Sequence, residues 1–80
     1  MNKRNEYKEL IGTKLFYLIM EVLYDNDYNI DYTPKITGMI VEDIFRYNIW
    51  YGQYKYHRVN LQQSVFDALK ILEESHYQPF

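Results

Sequence analysis

The segment 51–58 reads YGQYKYHR, in which tyrosines alternate with Lys55, His57 and Arg58. Aromatic faces stack nucleobases and cations meet phosphates, so this pattern fits a contact to single-stranded nucleic acid. Lys55, Arg58, Tyr54 and Tyr56 would carry it, and Lys3, Arg4, Lys8 and Lys14 form a second basic cluster. The commoner use of such a stretch is a solvated connection whose aromatic rings cover the core. Asp25, Asp27 and Asp31 approach the spacing of a calcium loop. No suitable Gly and no distal bidentate Glu follow, so a polar turn is expected there. His57 and His76 lie 19 residues apart with no partner pattern, which does not make a metal site. His76 falls on an apolar stripe and is expected to pack at a helix end. Ser64 lacks the context of an activated nucleophile. Glu21, Glu42, Asp43, Glu73 and Glu74 read as solvated helix faces. No catalytic constellation results, and the chain is expected to be neither an enzyme nor a cofactor protein.

A different kind of site is suggested by missing side chains. Gly12 and Gly38, two of the three glycines, fall inside helical patterns. Each costs a helix about 1 kcal/mol relative to Ala. They permit either a close approach of two helix backbones or a shallow pocket floored by bare main chain, where a partner's aromatic ring could lie.

The elements that position these residues are helical. Tyr7, Leu10, Ile11, Leu15, Leu18, Ile19, Val22 and Leu23 recur at helical spacing, and Phe16, Tyr17 and Met20 widen the apolar surface to a second side. The run of Asp and Asn after residue 24 predicts a loop over 25–32. Thr33 is a candidate N-cap and Pro34 suits a first helical turn. Ile36, Met39, Ile40 and Ile44 edge the second helix. The stretch DIFRYNIWYGQYKY reads as a third helix or as a continuation of the second, ended by Gly52, with an extended connection or a frayed turn beyond. Asn60 and Gln63 form a capping-box pattern before Leu61, Val65, Ala68, Leu69 and Leu72. Helices are therefore expected over about 6–24, 34–43, 45–52 and 60–76, in one all-α domain spanning 1–80.

Composition bounds the rest. Eighty residues, 48% of them hydrophobic, make one small domain. The absence of cysteine excludes disulfides and thiolate metal sites, and a net charge of −2 gives no global basic field. No apolar run nears the ~20 residues that span a bilayer, and the start is too polar for a secretory signal. A soluble, cytoplasmic protein is expected, with no membrane and no small-molecule substrate among its partners.

Three segments in order, EYKELIGTKLFYLI (6–19), KITGMIVE (35–42) and LQQSVFDALKILEESH (61–76), resemble the C-terminal MLLE domain of cytoplasmic poly(A)-binding protein. Gly12, Leu15 and Phe16 match its G-x-x-L-F/Y pattern. Lys35, Ile36, Thr37, Gly38, Met39 and Glu42 match its KITGMLLE signature. Leu61, Val65, Ala68 and Leu72 match its last helix. The resemblance implies a small right-handed bundle of four helices, or five, that reads short linear PAM2 peptides in proteins of translation and mRNA turnover. The peptide's Phe would enter a pocket formed by Gly12, Phe16, Lys35, Thr37, Gly38 and Met39. Its Leu would enter a second pocket formed by Ile40, Val41, Val65 and Leu69. The match departs at MIVE for MLLE, at Thr13 and at Pro34, and in longer segments at 25–32 and 43–60, the latter with Trp50, Tyr51, Tyr54 and Tyr56. Those departures leave an alternative: a small structural subunit touching RNA or the ribosome, with the bundle kept and peptide reading lost.

Overall fold

The computed structural model describes residues 3–79. α1 spans Lys3–Asp25, α2 Thr33–Arg46, α3 Gly52–Lys55 and α4 Arg58–Glu74, with one 3₁₀ turn at Ile30–Tyr32. The chain is a small all-α bundle. At 1.5 Å per residue α1 is about 35 Å long, which matches the 35 Å long axis of the molecule. It is the spine against which the other helices lie.

Ile11, Leu15, Ile19, Val22 and Leu23 form one buried stripe on α1. α2 contributes Ile36, Ile40, Val41 and Ile44, and α4 contributes Leu61, Val65, Leu69 and Leu72. Of the second apolar side expected for α1, Phe16 and Met20 are partly covered and Tyr17 is exposed, while Tyr7 and Leu10, expected in the first stripe, are half exposed. The spine overhangs its partners, so only the stripe between α2 and α4 is closed.

Three expected boundaries move. Thr33 is not an N-cap; it is the first residue of α2, and its hydroxyl donates to the Ile30 carbonyl. The 3₁₀ turn, capped by the Asn29 side chain on the Asp31 amide at 2.9 Å, feeds straight into the helix. Pro34 lies in the first turn of α2 as expected. No helix runs over 45–52: α2 continues to Arg46, and Gly52 begins the short α3 rather than ending a helix. The connection beyond it is therefore helical. α4 starts at Arg58, so Asn60 and Gln63 lie within it. There Asn60 Nδ2 reaches the Gln53 carbonyl at 3.4 Å and Gln63 Nε2 donates to Asp67 Oδ1 at 3.0 Å.

The three long helices end alike, and none uses glycine. Asp27, Asn48 and His76 each adopt a left-handed backbone, with φ of 61°, 54° and 59°. The next residue returns its amide to a carbonyl five residues back: Tyr28 to Leu23, Ile49 to Ile44 and Tyr77 to Leu72, each at 2.9 Å. This is the Schellman closure, and its hydrophobic following residue is what fastens each end. His76 is thus an exposed left-handed residue beyond the helix, not a packed one.

Candidate functional site: a vacant groove between α1 and α2

Gly12 and Gly38 face a common groove of about 610 Å³, lined also by Lys8, Phe16, Thr37 and Val41. On α2 the positions 34, 37, 38 and 41 share one helical face, and on α1 8, 9, 12 and 16 do the same, so the groove follows from helical spacing. A Cβ at Gly38 would meet nothing within 4 Å, and one at Gly12 would meet only Val41 Cγ2 at 3.9 Å. Neither glycine is demanded by close backbone approach, which removes that explanation of their presence. The space beside Gly38 is open.

Thr37 is 8% exposed, and its hydroxyl oxygen is buried without a hydrogen-bond partner among the described residues. An unpartnered buried hydroxyl is costly, and because this oxygen is closed to solvent it presents no polar atom to the groove beside it. At one end of the groove Lys8 Nζ binds Glu42 Oε1 at 2.7 Å. That hydrogen bond first, and the Lys8 charge second, hold the Glu42 carboxyl below its ordinary range. Past Phe16 the surface continues into a smaller depression of about 340 Å³ over Met20, Ile30, Asp31 and Pro34.

The residues expected for the aromatic pocket are not all brought together. Gly12, Phe16, Thr37 and Gly38 are; Lys35 and Met39 are not. Lys35 extends over the Tyr77 ring, 5.6 Å from its centroid. Met39 lies on the opposite side of α2, where it borders a crevice of about 110 Å³ with Ile40 and Ala68. Val41, expected in the second pocket, lines the first. Val65 and Leu69 are sealed in the core and present no surface. The second pocket expected between α2 and α4 is reduced to the small crevice because these helices pack directly on one another.

The residues expected for nucleic-acid contact are also dispersed. Tyr54 is a core residue at 6% exposure. Arg58 is held by Glu21 at 2.8 Å and by Asp25 at 3.7 Å. Lys55 and Tyr56 remain outward, with Lys55 Nζ 5.3 Å from the Tyr56 centroid. Asp25 serves Arg58 and Asp27 serves a helix end. Among the described residues no group of three or more His, Asp or Glu is gathered to hold a metal. No described helix is long and apolar enough to cross a membrane.

Sequence reasoning missed a second cavity, of about 480 Å³, where the first turns of α1 meet the end of α2 and the 47–51 turn. The signal available was the pairing of Tyr7 and Arg4 on one face of α1 with the aromatic run around Trp50. No known family model matches this chain, and no characterised relative and no solved structure shows significant similarity to it.

Proposed function

We propose that this chain is a peptide-reading module of the MLLE kind, an adaptor for PAM2-like segments in translation and mRNA regulation. The observation that carries the reading is the unfilled groove over Gly12 and Gly38. A partner's Phe or Trp ring lies on that bare backbone, against Phe16 and Val41. A second, aliphatic anchor follows in the depression over Met20, Ile30 and Pro34, since the crevice between α2 and α4 is too small to be the main seat. Two buried anchors are worth roughly 1.5–3 kcal/mol each. Ordering a flexible peptide removes part of that gain, which places the affinity near micromolar.

The test is a titration of a labelled PAM2-type peptide and its Phe→Ala counterpart. The Ala peptide is expected to bind about 10- to 100-fold more weakly, from the loss of one aromatic anchor. Gly38→Leu, which fills the groove floor, is expected to weaken the intact peptide by a similar factor. Equal binding of both peptides rules the reading out.

A further inference from the structure

The cavity at the α1–α2 end is chemically unlike the groove. Its lining includes Arg4, Tyr7, Phe45, Asn48, Trp50 and Tyr51. Four aromatic residues around a hollow suggest a cage for a cation, but the ring face that would receive one is taken. The Arg4 guanidinium sits 5.0 Å from the Phe45 centroid, and Lys8 Nζ 5.7 Å. A second cation would be repelled. Lys8 is tied to Glu42, whereas neither Arg4 nor Lys55 pairs with a carboxylate among the described residues. The negative end of α2 is muted, because the Asp43 and Ile44 carbonyls already accept the Tyr47 and Ile49 amides. An anionic, flat occupant fits.

The arrangement also repeats. Inside the cavity a ring pair, Tyr7 and Phe45 with centroids 6.1 Å apart, stands with Arg4, and Trp50 forms another part of the wall. Outside it, Trp50 and Tyr56 form a tilted ledge with centroids 6.1 Å apart, and Lys55 stands over Tyr56. Trp50 and Tyr56 are 66% and 65% exposed. Two adjacent units of ring plus cation match a polymer whose repeat is ring plus anion. A lone small anion or an acidic peptide uses the cations without the rings. Gly52 leaves the room that the Trp50 indole occupies, since any Cβ there would collide with the ring.

We propose that this end of the molecule binds a short single-stranded nucleic acid, with one base in the cavity against Tyr7 and Trp50, the next on the Trp50–Tyr56 ledge, and Arg4 and Lys55 on successive phosphates. The site is separate from the peptide groove. Of the residues the sequence suggested, Lys55 and Tyr56 take part here, whereas Tyr54 and Arg58 do not.

Trp50 is the only tryptophan, so its fluorescence reports this site alone. The full chain is titrated with single-stranded RNA and DNA oligomers of about ten nucleotides, a length within ordinary single-strand site sizes. Saturable quenching is expected. Two phosphate contacts on a single strand give a log–log salt slope near −1.4, or about sevenfold weaker binding from 50 to 200 mM salt. Arg4→Gln and Lys55→Gln are each expected to halve that slope. Gly38→Leu is expected to leave the quenching unchanged, which separates this site from the peptide reading. No quenching, quenching indifferent to salt, or equal response to an Asp/Glu-rich peptide overturns the proposal. So does a slope that neither Gln variant alters. A stronger response to RNA than to DNA identifies the source of the strand; equal response leaves the shared chemistry standing.

Discussion

The three glycines have three different surroundings, and their alanine variants should behave differently. Gly38→Ala adds a methyl to open space and removes the backbone cost of glycine in a helix. It is expected to raise stability by about 0.5–1 kcal/mol in urea unfolding. Gly12→Ala is expected to behave alike, since its new contact at 3.9 Å is ordinary. Gly52→Ala must evict the Trp50 ring, and is expected to cost about 1–3 kcal/mol and to shift Trp50 emission. A destabilising Gly38→Ala would mean that the groove floor is closed. Thr37→Val removes an orphaned buried hydroxyl at nearly constant shape, so stability is expected to hold or rise with peptide affinity unchanged. The residue types that leave room at 12 and 38 were legible in the sequence. The allotment of their neighbours was less so. Lys35 and Met39 stand beside Gly38 in sequence, yet helical rotation carries them to the other faces of α2, while Pro34, Thr37 and Val41 stay with it.

Helix existence was legible at the scale of elements, because long apolar periods leave little choice. Helix ends were not. The sequence reading looked for a glycine and chose Gly52, whereas the chain closes α1, α2 and α4 with a polar left-handed residue followed by an apolar one. The available signal was that pair: Asp27–Tyr28, Asn48–Ile49 and His76–Tyr77. Left-handed backbone costs most side chains roughly 1–2 kcal/mol, and Asn and Asp less. His76→Gly is therefore expected to gain about 0.5–1 kcal/mol, and Asn48→Gly distinctly less. Thermal or urea unfolding decides the order. Removing the apolar partner instead, as in Ile49→Ala, is expected to fray the end of α2 and expose its last amides to hydrogen exchange.

For the whole molecule, two groups with shifted pKa values lie on opposite flanks of the pH range. Glu42 titrates below its ordinary value near 4.5 because Lys8 hydrogen-bonds it and then attracts its charge. Its contribution is present above that value and is lost as the pH falls through the lowered one. The Tyr51 phenol is raised above 10.0, first by burial. Its contribution is complete below 10 and is lost as the pH rises through the raised value. From these two groups the urea midpoint is expected to fall on the acid side of the lower limit and on the alkaline side of the upper one. Glu42→Gln should flatten part of the acid limb and Tyr51→Phe part of the alkaline one. The core is more demanding: Leu15→Ala, at the fully buried centre of the spine, is expected to cost about 2–5 kcal/mol.

The ion pair at the end of the groove sets a rule for whatever docks there. Lys8 already has its anion, so an acidic group arriving at that edge trades places with Glu42 instead of meeting a vacant charge. Such a swap leaves the number of ion pairs unchanged and sets one surface carboxylate free into water, for a net gain close to nil. Acidic flanks on a ligand would then govern its alignment along α1 and its speed of arrival, while tightness comes from the apolar anchors alone.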